Sequence, residues 1–350
     1  MHPDSLRGRG APINPPNRFD STWYEVDPDI DEPPGPAPET EYIPDHTKQI
    51  IATNDSPDIG FEASINPYRG CEHGCAYCFA RPSHEYLGYS AGLDFESRIV
   101  VKYRAPELLR AELMNPRWQP KTLVMSGVTD CYQPVERNLQ LTRGCVAVLA
   151  EFRNPVAIIT KNRLVERDCD LLVELAAHRA AAVFVSITSL DNELIGRLEP
   201  RTSRPKGRLA AIRALTNAGV PCGVAIAPII PGLTEHEMPA ILEAAAEAGA
   251  KSAFWQAMRL PGEVAPIFID WLTNHFPDRR ERVLNRVREM RGGKLNESAY
   301  GDRMRPKGVH LEAVGQLFEA TCRKLRLNES RVELSSAAFQ RPGQQMALFG

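Results

Sequence analysis

The sequence contains no long apolar run. A membrane-spanning helix needs about 20 consecutive apolar residues, and no stretch of this 350-residue chain approaches that length. The N-terminus, MHPDSLRGRG, also lacks the apolar centre of a secretion signal. We therefore expect a cytoplasmic protein without membrane segments.

An excess of charge of one sign is also missing. The chain has 42 Lys plus Arg against 44 Asp plus Glu, for a net charge of −2, so any contact with nucleic acid must come from a local basic patch. One candidate is DRRERVLNRVREMRGGK at 278–294. It is either a solvated basic helix face or a phosphate-binding surface. In the second case Arg288 and Arg291 would contact phosphates, and Tyr300 would stack on a base.

No glycine-rich phosphate loop opens any predicted helix, which disfavours a doubly wound nucleotide-binding sheet. Short β-branched runs alternate instead with amphipathic stretches of helical period. The strand candidates are 97–102, 121–127, 155–161, 181–190, 222–230 and 252–258. Repeated alternation of strand and helix predicts a parallel sheet, and we favour an α/β barrel or partial barrel.

The composition changes near residue 58. The first 57 residues contain 11 of the 29 prolines and many acidic residues, which predicts an extended, largely disordered N-terminal arm at 1–57. The strand and helix pattern that follows predicts a barrel domain with a C-terminal helical extension at 58–330. A flexible tail would occupy 331–350.

Three cysteines lie within CEHGCAYC at 71–78, and no fourth cysteine is near them. Because we expect a reducing compartment, the eight cysteines of the chain favour metal or reactive thiols over disulfides. Zinc could use Cys71, Cys75 and Cys78 with His73 as the fourth ligand. An iron-sulfur cubane ordinarily takes four cysteines, so three would leave one iron open to another ligand.

The CxxxCxxC spacing resembles the signature of the radical S-adenosylmethionine (SAM) enzymes. Further runs, including SGVTDCYQPVE, VSITSLD, LEPRTSRPKGRLAAI and APIIPGLTEHE, are similar to an uncharacterised bacterial branch related to spore photoproduct lyase. The resemblance covers roughly residues 60 to 330 and implies a partial (β/α)6 barrel. It also implies a [4Fe-4S] cluster, SAM bound at the open iron, and an electron donor such as flavodoxin or ferredoxin. SAM would be cleaved to methionine and a 5'-deoxyadenosyl radical.

The resemblance also implies a SAM pocket. Tyr77 would lie near the adenine, Thr129 in a loop at a strand end, Lys161 toward the methionine carboxylate and Ser186 toward the ribose or methionine. The glycine-acid motif common in the superfamily is replaced here by SGVTD, which leaves Asp130 as the candidate partner of the SAM amino group.

Cys131 and Tyr132 follow directly in GVTDCYQP and are our candidate catalytic residues. A thiol is a good donor of a hydrogen atom, and spore photoproduct lyase has a cysteine near the end of the corresponding strand. The alternative for Cys131 is a buried structural cysteine.

The tail contains QMALF at 345–349. This peptide is similar to the Gln-x-x-Leu-Phe-type peptides with which bacterial polymerases and repair proteins dock on the replication sliding clamp. Leu348 and Phe349 would fill an apolar pocket, and the Gln345 amide would set the orientation. The alternative is a frayed apolar tail.

Three functional hypotheses follow. The first is a radical SAM enzyme that acts on nucleic acid, in the manner of a DNA repair lyase. The second keeps the chemistry but changes a protein or a small metabolite. The third is a non-catalytic zinc or iron-sulfur protein that binds partners.

Overall fold

The computed structural model describes residues 8–19, 39–301, 303–304, 307–330 and 332–343. Ten β-strands form within these residues: β1 Glu41–Pro44, β2 Ile51–Thr53, β3 Ala63–Ile65, β4 Tyr68–Arg69, β5 Arg98–Val101, β6 Leu123–Met125, β7 Val156–Thr160, β8 Ala181–Ser186, β9 Cys222–Ile229 and β10 Ser252–Ala257.

Seven of these strands form the main sheet, in the order β10-β9-β8-β7-β6-β3-β2. Each pair from β3 through β10 is parallel, and only β2, at one edge, is antiparallel to its neighbour. The six parallel strands confirm the predicted partial barrel. Because their carboxyl ends meet along one edge, that edge is where an active site is expected.

One of the six barrel strands differs from the sequence prediction. Residues 97–102 do contain a strand, but this strand, β5, pairs with β1 and β4 in a separate three-stranded sheet. The sixth parallel strand is β3, which pairs with β6. It has only three residues, all buried, and so short a run has no period that a sequence pattern could reveal.

The described residues also form eleven α-helices: α1 Leu93–Ser97, α2 Ala105–Met114, α3 Glu136–Leu139, α4 Leu141–Phe152, α5 Cys169–Ala177, α6 Asn192–Leu198, α7 Pro205–Asn217, α8 Met238–Glu247, α9 Val264–His275, α10 Pro277–Met290 and α11 Val309–Lys324. Short 3-10 helices lie at Arg81–Leu87, Arg163–Asp168 and Glu235–Glu237.

The barrel helices bury one apolar face each. In α2 the buried residues are Ala105, Leu109 and Leu113, which are four positions apart and therefore share one side of the helix. Burial of each leucine contributes about 1.5–3 kcal/mol. The same main core cluster includes residues of β6 and α4, so the helices cover the sheet as the alternating pattern predicts.

The helical extension follows β10 and consists of α9, α10 and α11. Trp271 on α9 stacks on Phe268 and donates to the Arg197 carbonyl oxygen at 3.0 Å. On α11, Phe318 lies 6.5 Å from Trp255 of β10. These contacts attach the extension to the barrel.

The first 57 residues contain more fixed structure than the composition indicates. Segment 8–19 has no helix or strand, as predicted, but it packs against the body of the protein. Strands β1 and β2 also lie in this region. A high proline content predicts an extended backbone. It does not predict whether that backbone packs against the rest of the protein. The division at residue 57 stays a prediction.

The C-terminal segment packs on the barrel as far as it is described. The Gln340 backbone N–H donates to the Phe152 carbonyl oxygen at 3.0 Å, and the Arg341 guanidinium donates to carbonyl oxygens near the end of α2. Gln345, Leu348 and Phe349 lie outside the described residues. No helix in the described parts of the chain is long and apolar enough to cross a membrane.

Candidate active site

The three cysteines lie in a loop that follows β4. Cys71 and Cys75 are buried and Cys78 is partly exposed. Gly74, between the first two, has φ +66°, and a Cβ there would come within 2.7 Å of the Glu96 carboxylate. Only glycine fits both conditions, so this residue lets the chain turn tightly between Cys71 and Cys75. We call residues 70–80 the cluster loop.

A buried ion pair holds the backbone of the cluster loop. The Arg81 guanidinium donates to the Cys75 carbonyl oxygen through Nε at 3.1 Å and through Nη2 at 2.9 Å. It also pairs with Glu96 at 2.5 Å, and both side chains are fully buried. Because a buried charge without a partner is very costly, this pair resists displacement and fixes the Cys75 backbone.

His73 is held by protein partners on both ring nitrogens. Nδ1 lies 3.4 Å from Asp130, and Nε2 lies 3.2 Å from the Asn162 amide nitrogen. Burial alone would lower the pKa of His73, but the Asp130 and Cys71 neighbours raise it to about 10. Both ring nitrogens therefore already contact protein groups, which disfavours His73 as the fourth ligand of the zinc alternative.

The three thiols of the cluster loop are compatible with a cubane. Burial raises the pKa of the Cys78 thiol to about 11, and iron binding would replace its proton. Within the described parts of the chain, no three His, Cys, Asp or Glu side chains converge as ligands of one ion. A cubane does not need such convergence, because each thiolate binds a different iron.

A buried carboxylate connects the cluster loop to the ends of β7 and β8. Glu199 accepts from the Tyr77 hydroxyl, from Thr188 Oγ1 at 2.6 Å and from Arg208, and Lys161 Nζ lies 3.5 Å away. Burial alone would raise the pKa of Glu199, but Arg208 and Lys161 hold it well below its usual range. The carboxylate is therefore ionised.

Lys161, predicted to face the methionine carboxylate, lies at this carboxylate. Its ammonium donates to the Ala227 carbonyl oxygen at 2.8 Å and to Thr188 Oγ1 at 3.3 Å, and it lies 5.8 Å from the centre of the Tyr77 ring. The structure thus brings together two of the predicted SAM-pocket residues, Tyr77 and Lys161. Their roles toward SAM stay predictions.

Asp130 lies in the loop after β6, and its carboxylate accepts hydrogen bonds from protein donors that include residues at the end of β7. Its carboxylate accepts from Thr160 Oγ1 at 2.8 Å and from the backbone N–H groups of Lys161 and Tyr132 at 2.7 and 2.9 Å, in addition to the His73 contact. Burial opposes ionisation, but the charge of His73 lowers the pKa of Asp130 below its usual value. Asp130 therefore also orients His73 within the cluster loop.

Thr129 and Ser186 are both buried at the barrel edge, in the loop after β6 and at the end of β8, with β7 between these two strands. Thr129 Oγ1 donates to the Tyr68 carbonyl oxygen at 3.2 Å, just before the cluster loop. Ser186 is the last residue of β8, and its carbonyl oxygen accepts from Arg208 at 2.9 Å. Thr129 thus lies in the loop after a strand and Ser186 at a strand carboxyl end, and their contacts with SAM stay predictions.

Cys131 and Tyr132 are both completely buried. The Cys131 backbone is held by Ser126 Oγ at 3.0 Å, and burial raises the pKa of its thiol well above the usual value. The Tyr132 hydroxyl donates to Asp168 at 3.1 Å. The predicted catalytic roles of these two residues stay predictions.

Comparison with known proteins identifies the family. The sequence model of the Radical SAM superfamily matches residues 65–245, which include the whole cluster loop. The chain belongs to the radical SAM superfamily. Uncharacterized proteins of Mycobacterium bovis and Mycobacterium tuberculosis are each 36% identical over 258 residues, 73% of this chain and 75% of theirs. An uncharacterized protein of Methanocaldococcus jannaschii is 30% identical over 51% of this chain and 64% of its own.

Solved structures of spore photoproduct lyase share the fold. The structure described as complexed with dinucleoside spore photoproduct superposes with a TM-score of 0.59 and 16% identity, covering 81% of this chain and 79% of that one. Membership of the family makes the protein an enzyme whose cofactors are a [4Fe-4S] cluster and SAM. When bound, these cofactors supply the reductive cleavage of SAM, which requires an electron donor.

Sequence reasoning missed the buried charges that position the cluster loop. Glu96, Glu199, Arg81 and Arg208 are all fully buried. Glu199 and Arg208 do lie in LEPRTSRPKGRLAAI, one of the runs that carries the family resemblance. That run shows that the two residues occur together, but not that Glu199 reaches Tyr77 more than 100 residues away.

The structure contradicts one of the two phosphate contacts predicted for the basic segment at 278–294. Arg291 is only 4% exposed, and its guanidinium donates to the carbonyl oxygens of Arg303 at 2.8 Å and Met258 at 3.2 Å. It therefore cannot reach a phosphate, because it closes the end of α10 against β10. Arg288 is partly exposed and donates to Asn285 at 2.8 Å. Arg291 follows the last residue of α10. Helical periodicity therefore does not predict whether its side chain faces solvent or the protein interior.

Proposed function

We propose that this radical SAM enzyme acts on nucleic acid, with a lyase-like reaction of the kind that repairs DNA. The observation that carries the proposal is an arginine stacked on an exposed aromatic ring next to a cluster cysteine. The Arg259 guanidinium lies 4.7 Å from the centre of the Phe79 ring. Phe79 directly follows Cys78 and is 47% exposed.

Arg259 is suited to an anionic ligand. It follows β10, at the carboxyl end of a barrel strand. Burial, and after it the neighbouring cations Arg303 and Arg291, lower the pKa of Arg259, so three arginines lie near one another here. Among the described residues its guanidinium stacks on Phe79 but makes no hydrogen bond or close ion pair. A phosphate would supply that missing partner.

A second arginine and aromatic ring extend this surface. Tyr300 is 67% exposed, and the Arg303 guanidinium lies 4.6 Å from its ring centre. Arg303 is held in place by Asp58 at 2.7 Å and by Ser56. We call Phe79, Arg259, Tyr300 and Arg303 the aromatic-arginine surface. Arginine for phosphate and flat rings for bases are the usual components of a single-stranded nucleic-acid site.

The fold likeness adds a limited argument. Spore photoproduct lyase, which shares the fold, has been solved with a dinucleoside photoproduct. At 16% identity this likeness concerns the fold, so the nucleic-acid substrate rests on the aromatic-arginine surface, and the lyase-like reaction rests on the motifs shared with that branch.

The test is whether nucleic acid stimulates the reaction. Anaerobically loaded enzyme, SAM and dithionite are incubated with intact or ultraviolet-irradiated single-stranded DNA, and 5'-deoxyadenosine release and changes in the DNA are followed by mass spectrometry. We expect stimulation and a chemically changed nucleotide. Stimulation by cell protein or small metabolites, with none by any nucleic acid, would overturn the proposal in favour of the second class of substrate.

Two partners belong to the same proposal. We propose flavodoxin or ferredoxin as the electron donor, and docking of Gln345, Leu348 and Phe349 on the sliding clamp. A peptide of residues 341–350 should bind purified clamp more tightly than the same peptide with Leu348→Ala and Phe349→Ala. Equal binding of the two peptides would end the clamp proposal without affecting the reaction.

A further inference from the structure

The N-terminal segment 8–19 runs directly over the cluster loop. Arg9, Gly10 and Ala11 are buried. A Cβ placed on Gly10 would lie 1.5 Å from the Gly74 carbonyl oxygen and 3.3 Å from the Ala76 backbone nitrogen. Gly10 therefore touches the backbone between Cys71 and Cys75 so closely that no side chain fits.

The segment completes the hydrogen bonding of Glu96. The backbone N–H groups of Gly10 and Ala11 donate to the two carboxylate oxygens of Glu96 at 3.0 and 2.8 Å. The same carboxylate accepts from Arg81, which holds the Cys75 carbonyl oxygen. A continuous chain of buried contacts thus leads from Gly10 through Glu96 and Arg81 to Cys75.

Further contacts fix the rest of the segment. Asn14 exchanges two hydrogen bonds with Asp94, and Asn17 donates to the Glu85 carbonyl oxygen at 2.9 Å. The Pro15 carbonyl oxygen accepts from Ser90. All these partners lie in the stretch from Glu85 to Glu96 that follows the cluster loop, so the segment binds one continuous surface.

We propose that segment 8–19 is part of the cluster site: it holds the cluster loop in the geometry in which Cys71, Cys75 and Cys78 would bind the cluster. Gly10 is the positioning residue, and it acts through Glu96 and Arg81. This role does not depend on the substrate, so it stands or falls separately from the proposed function.

The test compares Gly10→Ala with Gly60→Ala. A Cβ at Gly60 meets nothing within 4 Å, so the control makes the same chemical change without the clash. Both full-length proteins are loaded with iron and sulfide under anaerobic conditions. We expect Gly10→Ala to lose iron to a chelator, and to bleach in air, at least tenfold faster than the parent, whereas Gly60→Ala matches the parent.

Two measurements separate positioning from general damage. Electron paramagnetic resonance of the reduced cluster should show a heterogeneous signal in Gly10→Ala, while far-ultraviolet circular dichroism stays unchanged. If Gly10→Ala fails to fold, Asn14→Ala replaces it, because the Asn14 contacts are exposed; it should lose iron severalfold faster. Parent rates of iron loss and a parent spectrum in the variant that folds would overturn the proposal.

Cluster loading should in turn protect the segment. Since a ligand that binds one state stabilises that state, loading should slow hydrogen exchange at the Gly10 and Ala11 amides at least tenfold in the parent protein. Equal exchange with and without the cluster would contradict the proposed coupling, whatever the activity of the enzyme.

Discussion

The cluster loop and the aromatic-arginine surface meet at Cys78 and Phe79 but are built in opposite ways. In the loop, Cys75, His73 and Tyr77 are all tied to buried charged partners. On the surface, Arg259 stacks on Phe79 and makes no hydrogen bond to another described residue, and Tyr300 is largely exposed. The loop is already shaped for one set of cofactors, whereas on the surface Arg259 keeps its donors available for a ligand.

The largest effect is expected in the loop. Cys75→Ala should abolish cluster binding, because two thiolate ligands are too few to keep a cubane bound to the protein. Reductive cleavage of SAM should therefore fall to background. Iron content and 5'-deoxyadenosine release measure this. Cys169→Ala, at a half-buried cysteine of α5, should retain both. Normal cleavage by Cys75→Ala would contradict the assignment of the loop.

The next effect concerns the buried charges of the loop. Glu199→Gln leaves Arg208 and Lys161 without their counter-charge and should lower the free energy of unfolding by about 3–5 kcal/mol. Glu193→Gln, at an exposed pair with Arg197, should cost less than about 1 kcal/mol. Urea unfolding of both variants provides the comparison. Equal stability of the two would show that the Glu199 contacts do not hold the loop.

The two regions also differ in how far the sequence predicted them. The spacing of Cys71, Cys75 and Cys78 identifies the cofactor because it resembles the signature of the radical SAM superfamily, to which the chain belongs. The barrel follows from hydrophobic period, which five of its six strands show. Strand β3 was missed because it has three residues and because its place in the sheet is set by pairing with β6.

Long-range pairing explains the other omissions. Glu96 meets Gly10 and Ala11 across more than 80 residues, and no local pattern records such a contact. The basic segment shows the converse error. The sequence shows its density of positive charge. Whether Arg291 is exposed or buried depends on how the end of α10 packs against the end of β10.

Arg291 and Arg288 allow that correction to be tested. Arg291→Gln should lower the free energy of unfolding by about 1–3 kcal/mol, because the carbonyl oxygens of Met258 and Arg303 lose their buried donor. Arg288→Gln should change stability by less than about 0.5 kcal/mol. If Arg288→Gln were the more destabilising, the placement of the end of α10 would be wrong.

On the surface, Arg259→Gln should weaken single-stranded DNA binding about tenfold, equivalent to about 1.4 kcal/mol. It should also reduce the slope of the logarithm of the binding constant against the logarithm of the salt concentration by about one, the value for one lost phosphate contact. Arg213→Gln removes the same charge from an exposed position of α7 and should bind as the parent does. Fluorescence anisotropy over a series of salt concentrations measures both. Equal salt slopes for the two variants would remove Arg259 from the phosphate-binding role.

The smallest effect is expected at Tyr300, at the far end of the surface from Cys78. Its exposed ring already stacks on Arg303, so a bound base would gain one open face. Tyr300→Ala should therefore weaken DNA binding only about threefold to fivefold, at the low end of what a stacked base contributes. Tyr300→Phe keeps the ring and should bind like the parent, since stacking does not use the hydroxyl. Anisotropy titrations of the three proteins distinguish the cases. Loss of binding in Tyr300→Phe equal to that in Tyr300→Ala would mean that the hydroxyl is the contact, and the surface would then recognise its ligand by hydrogen bonding at this end rather than by stacking.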